Sequence, residues 1–347
     1  MKQIGLGLMG LGNIGIGTWK TLEMNGETIK KNTGIDFKFV KILEKNVDAK
    51  RDIDVDKKLF TDDPQDLFNN DDIDVVIELL GGIEPAASFM LEALNNGKHV
   101  VTANKAAVAA NYDKLLAAAE KNNVMIKYEA SVGGGIPILN PLLTVLRGNE
   151  IESIMGILNG TTNYILTQMT DFGLDFEAVL KTAQEKGFAE ADPTADVEGI
   201  DVANKLSILM AIAFDKYVKP QEIKTTGITG ITKQDIENAK SKGAKIKLVA
   251  GAKKLANGEL EYEVGPMEKI IFLVGRVVGG GDLRLEQIGN KRKTEHRDGG
   301  NGSEEDNKPR LQSGFVGLFG GLGGFFGCLA RGSGGSARFF FDHKHII

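Results

Sequence analysis

The sequence has 347 residues, of which 42% are hydrophobic and 26% are charged, and its formal net charge is -5. This length is more than one hydrophobic core usually organises, so two domains are expected. The acidic balance disfavours nucleic acid as a partner, because phosphate binding needs a basic surface. No apolar run is long enough to span a membrane, and the start MKQIGLGLMG lacks the apolar core of a signal peptide. We therefore predict a cytoplasmic protein with no membrane partner. The one cysteine, Cys328, permits neither an internal disulfide nor a cysteine-based metal site.

The first part of the chain alternates strand-like runs with helical patterns, as the βαβ units of a parallel sheet do. A helical run between two of these strands ends before Gly97, a residue type that commonly follows a helix end. The pattern predicts an α/β fold, with a Rossmann-type dinucleotide-binding domain over residues 1–135. The predicted strands are QIGLGLMG, DFKFVKIL, IDVVIEL, KHVVTA and VMIKYEA.

From about residue 137 the pattern changes, and longer helical stretches predominate. The most apolar of these is DVANKLSILMAIAF, and a strand-like run, IESIMGIL, precedes it. Two more strand-like runs, KIKLVAGAK and LEYEVGP, follow on either side of a polar turn. We predict a second, α+β domain over residues 136–267.

Residues 268–347 differ in composition from the rest of the chain. Glycine makes up about a quarter of residues 271–347, against an average near 7%. Neither helical nor strand periodicity is visible in GLFGGLGGFFG. Two interpretations are open: a disordered glycine-rich tail, or a frame error that replaced the original C-terminal coding sequence.

A glycine-rich segment, GLGLMGLGNIGIG, contains two overlapping candidates for a dinucleotide-binding loop. The motif works where a strand ends and a helix begins, because the pyrophosphate rests on free N–H groups at the helix N-terminus. A loop starting at Gly5 and Gly7 would leave too short a strand before it. We therefore assign the loop to the later set. The predicted cofactor contacts in it are Gly10, Gly12, Asn13, Ile14 and Gly15.

Glu44 ends the second predicted strand, where an acidic residue commonly hydrogen-bonds the adenosine ribose. A carboxylate there would repel a 2′-phosphate and favour NAD. The neighbouring Lys45, Lys50 and Arg51 could instead bind that phosphate and favour NADP. A surface loop of mixed charge is the remaining interpretation.

Lys105 follows directly after a buried strand in VVTANKAAVA. Ligands of open α/β sheets bind at the carboxyl ends of the strands, so we expect Lys105 to face cofactor and substrate. Farther along, GFAEADPTADVEGIDVANKL carries Asp201 and Lys205 on one face of a predicted helix. They form either a solvated ion pair or part of an active site.

The segment ILNGTTNYILTQM predicts a tight turn followed by a helix. Asn159 and Gly160 suit the turn, and Thr161 or Thr162 can cap the helix. A capped helix is one interpretation. A substrate carboxylate bound at the helix N-terminus is the other.

Together, these motifs resemble those of the homoserine dehydrogenase family, in the short form that lacks a regulatory extension. The resemblance covers about residues 1–265 and implies NAD- or NADP-dependent interconversion of L-homoserine and L-aspartate 4-semialdehyde. It also implies a place in threonine and methionine biosynthesis, a homodimer and a second domain that binds substrate and contributes to dimerisation. The motifs that carry it are the glycine loop, IELLGG, VVTANKAAVA, YEASVGGGIPI, NGTTNYILTQM and GFAEADPTADVEGIDVANKL.

The family resemblance also implies residue roles. Lys105 and Lys205 correspond to the lysines of proton transfer, and Asp201 to the carboxylate that positions substrate and lysine. Glu190 and Asp196 correspond to residues that bind the polar groups of the amino acid. The remaining implied substrate and cofactor contacts are Gly160, Thr161, Leu79, Thr102 and Lys105.

In YEASVGGGIPI the resemblance implies a monovalent cation, usually sodium, bound through main-chain carbonyls. The positions concerned are Glu129, Val132, Gly134 and Ile136. Carbonyl oxygens suit such a hard cation.

Proton transfer near neutral pH sets a condition on the lysines. A free lysine has a pKa of about 10.4, so a second cation or desolvation is expected to lower it.

The chain also departs from the family at its end, where GRVVGGGD only partly matches the family's closing GRGAGG-like segment. A catalytically impaired or silent NAD(P)-binding homologue is therefore the alternative. An aspartate-semialdehyde dehydrogenase would need a nucleophilic cysteine, and Cys328 lies in the atypical tail.

Overall fold

The computed structural model describes residues 2–269, 326–330 and 336–341. Its first sheet has six parallel strands in the order β3-β2-β1-β4-β5-β6. This is the strand order of a Rossmann fold, in which the order reverses between β1 and β4 and opens a cleft at their carboxyl ends. The predicted fold class is confirmed for this part of the chain. The strands are β1 (Lys2–Met9), β2 (Ile35–Leu43), β3 (Phe60–Thr61), β4 (Val75–Glu78), β5 (His99–Thr102) and β6 (Ile126–Lys127).

Helices connect the strands of this sheet. The first of them joins β1 to β2, and the last two pack against each other. Gly97, with a φ of 73°, lies just beyond the helix that ends at Asn95, where a left-handed residue closes a helix end. The helices are α1 (Asn13–Thr33), α2 (Gln65–Phe68), α3 (Ala86–Asn95) and α4 (Lys105–Lys121).

A second, mixed sheet has the order β11-β12-β7-β9-β10-β8. Helices α6, α9 and α10 pack against its strand β9, and α9 also packs against α4 of the first domain. The predicted second domain of mixed helices and strands is confirmed. Its strands are β7 (Glu150–Gly156), β8 (Lys224–Thr225), β9 (Lys245–Lys254), β10 (Leu260–Lys269), β11 (Phe326–Ala330) and β12 (Ser336–Phe341), and its helices are α5 (Leu139–Leu143), α6 (Gly160–Phe172), α7 (Phe176–Glu185), α8 (Thr194–Val197), α9 (Ile200–Ala213) and α10 (Lys233–Ser241).

The glycine-rich tail departs from expectation at two places. Strand β12 pairs in parallel with β7, and β11 pairs antiparallel with β12. Tail segments rich in aromatic residues thus add strands beside β7, whose backbone groups on that side need hydrogen-bonding partners. The interpretation as a disordered tail therefore does not describe 326–330 and 336–341, and the frame-error interpretation stays open. The rest of the tail beyond Lys269 lies outside the described residues.

One face of the first sheet carries an open apolar cavity of about 620 Å³ between α1 and the strands. Leu6, Phe39, Ile77 and Val101 line it from the sheet. Parallel sheets normally have both faces covered, yet Val101 is 39% exposed. The described residues leave this part of the sheet face open. Among these same residues, no helix is long and apolar enough to cross a membrane.

The open face predicts different stability effects for two adjacent valines. Val100 is fully buried, so Val100→Ala is expected to cost roughly 1.5–3 kcal/mol of unfolding free energy. Val101→Ala, on the open face, is expected to cost well under about 1 kcal/mol. Urea unfolding of both variants tests this. Equal losses would show that the face around Val101 is covered in the whole chain.

Candidate active site

The glycine loop lies between the end of β1 and the start of α1. Gly10 has a φ of 91°, which side chains disfavour. A Cβ on Gly15 would lie 2.3 Å from the Gly10 carbonyl oxygen, whereas one on Gly12 would meet nothing within 4 Å. Gly10 thus suits the tight turn, the open position at Gly12 suits the approach of a pyrophosphate, and Gly15 suits close packing of the helix.

Gly5 and Gly7, which begin the alternative candidate for the dinucleotide-binding loop, occupy a different environment. Gly5 and Gly7 lie inside β1, and a Cβ on Gly5 would lie 1.7 Å from the Asp72 carbonyl oxygen. Their glycine requirement therefore comes from packing within the sheet. Asn13 and Ile14 begin α1, and Ile14 is 60% exposed beside the loop. The geometry favours the assigned loop, and dinucleotide binding by its five residues stays a prediction.

Glu44 follows β2 directly, as expected, and its carboxylate already has partners. It accepts hydrogen bonds from the backbone N–H groups of Leu11 and Asn46, both at 3.0 Å. It also lies 3.2 Å from the guanidinium of Arg51, which donates to the Leu11 carbonyl as well. Glu44 and Arg51 therefore brace the glycine loop, a contact that the sequence did not reveal.

This bracing shapes the expected effect of Glu44→Ala. Loss of the carboxylate removes the charge that opposes a 2′-phosphate and takes the anionic partner from the Arg51 guanidinium, so the ratio of NADP to NAD use should rise. Overall dinucleotide affinity should fall, because the loop loses a partner at Leu11. The measurement is kcat/KM with each cofactor, and Asp52→Asn, at a 98% exposed carboxylate nearby, is the control. An unchanged cofactor ratio in Glu44→Ala would place Glu44 away from the ribose.

The two lysines meet at one aspartate. Lys105, the first residue of α4, lies 2.9 Å from Oδ1 of Asp201, and Lys205 lies 2.8 Å from Oδ2. The side chain of Asp201 is 3% exposed, whereas that of Lys105 is 44% exposed. The interpretation as a solvated helical pair is therefore wrong, because Asp201 is buried and bridges two domains.

Asn159 is also a member of this cluster, although the sequence predicted only that it forms a turn. Its side-chain amide donates to Asp201 at 2.9 Å and to Asp196 at 2.6 Å. The side-chain oxygen of Asn159, Oδ1, accepts a hydrogen bond from the backbone N–H of Thr162 and so caps α6. The N-cap preference of asparagine was visible in the sequence, but its long-range contacts were not.

Four of the predicted substrate residues lie in or beside the cluster. Gly160 is exposed at the start of α6, and Thr161 donates its hydroxyl to the Phe188 carbonyl at 2.9 Å. Glu190 is exposed and, with Asp196, lies close enough to act electrostatically on Lys105. Their contacts with substrate stay predictions.

The charges in the cluster control two pKa values. Burial lowers the pKa of Lys105, but Asp201, aided by Asp196 and Glu190, outweighs this and holds it above its ordinary value. Burial raises the pKa of Asp201, and the two lysines with Asn159 more than reverse it, so its net shift is downward. The expected lowering of the lysine pKa is thus wrong for Lys105, because the neighbouring carboxylates outweigh desolvation.

The remaining predicted cofactor residues lie at the carboxyl edge of the sheet. Leu79 follows β4 and donates its backbone N–H to Met9 at 2.8 Å, beside the glycine loop. Thr102 ends β5 and is 2% exposed, and its hydroxyl donates to Glu78 at 2.6 Å. Contact of either residue with the cofactor stays a prediction.

The predicted cation loop follows β6. The Glu129 carboxylate accepts from the backbone N–H groups of Leu139 and Asn140 at 2.8 and 2.7 Å and so caps α5. The Glu129 carbonyl accepts only long hydrogen bonds, of 3.3 and 3.4 Å, from Val132 and Gly133. Within the described chain, no backbone N–H donates to the carbonyls of Val132, Gly134 or Ile136. These free oxygens fit the ligand set expected of the loop.

The fold and this cluster define a class, two-domain α/β proteins in which a Lys-Asp-Lys site, centred on a buried aspartate, joins a dinucleotide-binding domain to a second domain. Residues 10–129 match the family model described as homoserine dehydrogenase, NAD binding domain, and residues 137–271 match that of homoserine dehydrogenase. The chain belongs to the homoserine dehydrogenase family.

Individual relatives agree with this assignment. A homoserine dehydrogenase of Bacillus subtilis is 42% identical over 77% of this chain, and the chain spans 61% of its length. A homoserine dehydrogenase structure from Thiobacillus denitrificans has a TM-score of 0.73 and 43% identity, covering 77% of this chain and 62% of that one. A putative homoserine dehydrogenase from Archaeoglobus fulgidus has a TM-score of 0.68 and 34% identity, with coverages of 77% and 84%. The chain thus spans about three fifths of several relatives.

Proposed function

We propose that this chain is an NAD(P)-dependent homoserine dehydrogenase that interconverts L-homoserine and L-aspartate 4-semialdehyde. The observation that carries the proposal is the convergence of Lys105 and Lys205 on the buried Asp201, each at 2.9 Å or less. This cluster lies where the first domain, which supplies Lys105, meets the second. A silent dinucleotide-binding homologue would have no need of two lysines held in this way.

The glycine loop is the expected holder of the dinucleotide. Its open position at Gly12 and the free N–H groups at the start of α1 suit a pyrophosphate. When bound, the nicotinamide supplies the hydride chemistry, and the protein must orient the substrate and move one proton. NAD and NADP both remain candidates, because Glu44 opposes a 2′-phosphate and Arg51 attracts one.

Lys205 is the better placed of the two lysines to exchange the proton on the substrate oxygen. An ammonium has three N–H donors, and Lys205 directs one to Asp201 at 2.8 Å and one to the Leu158 carbonyl at 2.7 Å. The third can donate to the forming alkoxide during aldehyde reduction. In the reverse direction the neutral amine accepts the hydroxyl proton. Lys105 provides a second positive charge at the same oxygen.

The site offers a partner for each charged group of the amino-acid substrate: acidic side chains for its ammonium and a helix N-terminus for its carboxylate. The substrate ammonium is assigned to Glu190 and Asp196, whose negative charges already act on Lys105. The substrate carboxylate is assigned to the N-terminus of α6 at Gly160 and Thr161, where free N–H groups favour an anion.

The finer proposals rest on family membership. They are a monovalent cation, expected to be sodium, on the carbonyl loop of residues 129–136, a homodimer built through the second domain, a cytoplasmic location, and a role in threonine and methionine biosynthesis. For the cation, the support is that no backbone N–H of the described residues donates to the carbonyls of Val132, Gly134 and Ile136.

The test is an absorbance assay with purified chain, L-homoserine, and NAD or NADP. Formation of reduced cofactor that depends on homoserine is expected. The control substrate is O-methylhomoserine, which has no hydroxyl proton to transfer. Dinucleotide binding without any reduction would overturn the proposal in favour of a silent binder.

A further inference from the structure

Glu78 is a fully buried carboxylate that the proposed chemistry does not use. It ends β4, in the motif IELLGG, one strand away from Lys105. Its Oε1 accepts from the Leu80 backbone N–H at 2.8 Å, and its Oε2 accepts from the Thr102 hydroxyl at 2.6 Å. A longer contact of 3.4 Å joins Oε1 to the side-chain amide of Asn104.

These partners are all neutral. A buried carboxylate that is satisfied only by neutral donors is costly, because its charge is removed from water without a compensating cation. A buried polar group whose hydrogen bonds are all satisfied can hold neighbouring segments of the chain in one position. The groups that Glu78 holds therefore indicate its role.

A chain of contacts leads from Glu78 to Lys105. Because the Thr102 hydroxyl donates to Glu78, its oxygen is free to accept the Asn104 backbone N–H at 2.9 Å. The Asn104 side chain in turn accepts from the Ala107 N–H at 3.1 Å and caps α4. Lys105 is the first residue of that helix, so the position of its backbone depends on this cap.

The same network fixes the loop after β4. Glu78 holds the Leu80 N–H, and the Asn104 side chain donates to the Gly82 carbonyl at 2.7 Å. Gly82 has a φ of 71°, a conformation that glycine adopts without a steric penalty, so the loop can turn at this position. The loop and the start of α4 are thus tied together at the carboxyl edge of the sheet.

We propose that Glu78 is a positioning residue, which acts through Thr102 and Asn104 to hold Lys105 against Asp201. This inference rests on the proposed function, because it assigns Glu78 to the same site. Glu78 itself touches neither Lys105 nor Asp201. Its carboxylate form matters because it can only accept hydrogen bonds, which sets the direction of the Thr102 hydroxyl.

Glu78→Gln tests this inference with little change in shape. The amide places a donor where one carboxylate oxygen accepts, so a hydrogen bond is either lost at Leu80 or reversed at Thr102, whose hydroxyl then no longer donates to residue 78. The start of α4 should shift, and Lys105 should separate from Asp201. The control is Asp74→Asn, which removes a carboxylate that accepts the Gly5 N–H at 2.8 Å beside the amino end of the same strand.

Two readouts are used. The first is competitive acylation of the Lys105 amine across pH, followed by mass spectrometry, which requires no turnover. In wild type the midpoint should lie above that of an ordinary lysine, because Asp201, Asp196 and Glu190 raise the Lys105 pKa. In Glu78→Gln it should fall toward the ordinary value. The second readout is kcat for homoserine, which should fall by about 10²-fold through misplacement of Lys105, with dinucleotide affinity little changed.

The outcomes separate the two proposals. A variant that is less stable yet keeps the wild-type Lys105 midpoint and kcat would overturn the positioning role. If Glu78→Gln does not fold, Glu78→Asp, which keeps the charge but shortens its reach, takes its place. If wild type shows no homoserine-dependent turnover, the proposed function fails, and the acylation midpoint still decides whether Glu78 positions Lys105.

Discussion

Asp201→Asn is expected to abolish homoserine-dependent turnover and to destabilise the folded chain. The carboxylate is 3% exposed and is the shared partner of Lys105 and Lys205. A neutral amide leaves two adjacent ammonium groups without their counter-charge and removes an acceptor for Asn159. Breaking a fully buried pair costs roughly 3–5 kcal/mol. The loss here is expected to be smaller, because Lys105 is 44% exposed and therefore partly screened by solvent.

The stability loss in Asp201→Asn should depend on pH in a defined direction. Because the folded-state pKa of Asp201 is lowered, its contribution is complete above the unfolded pKa, near the ordinary value of 3.8. That contribution is lost as the pH falls through the lower, folded-state pKa. The unfolding free energies of wild type and Asp201→Asn should therefore differ most near neutral pH and converge in acid.

Asp171→Asn is the matched control for Asp201→Asn. Asp171 lies 2.7 Å from Lys245, at least as close as Asp201 lies to its lysines, but both side chains are about 40% exposed. Exposed pairs of this kind are worth about 0–1 kcal/mol. Equal effects of the two substitutions on urea unfolding and turnover would contradict a special role for the buried cluster.

Lys205→Ala is expected to lower kcat by about 10²–10⁴-fold, the range typical of a lost general acid or base. Dinucleotide affinity should stay nearly unchanged, because Lys205 lies on α9 of the second domain and the glycine loop lies in the first. The measurements are kcat by absorbance and dinucleotide Kd by calorimetry. Lys233→Ala is the control, since that lysine pairs with Asp175 at 2.9 Å while 51% exposed. Near-normal kcat in Lys205→Ala would remove Lys205 from the mechanism.

Much of the fold follows from local sequence patterns. Strand and helix periodicities predicted the alternating first domain, and the glycine environments at Gly10, Gly12 and Gly15 match the motif assigned to them. The spacing of Asp201 and Lys205 predicted their shared helix face, and the structure pairs them at 2.8 Å. These features depend on residues near one another in the chain, which is why the sequence contains them.

The remaining features depend on distant segments meeting. Asn159 contacts Asp201, which lies 42 residues later in the chain. Neither the turn pattern around Asn159 nor the helical pattern around Asp201 indicates this contact. The bracing of the glycine loop by Glu44 required Arg51 to fold back over it. Strand β12 pairs with β7, far earlier in the chain, so its aromatic run alone did not identify a strand partner. The direction of the Lys105 pKa shift likewise depended on which carboxylates approach it in space.

The role of the Lys105–Asp201–Lys205 cluster is tested most directly by a single-turnover reaction with homoserine deuterated at the carbon that bears the hydroxyl. Excess purified chain is mixed with this substrate and NAD or NADP, and the reduced cofactor is examined by mass spectrometry. In wild type, deuterium is expected to move to the cofactor, whereas Asp201→Asn should transfer none and Asp171→Asn should transfer it normally. Bound cofactor that gains no deuterium from homoserine in wild type would contradict the assignment of this site to homoserine oxidation.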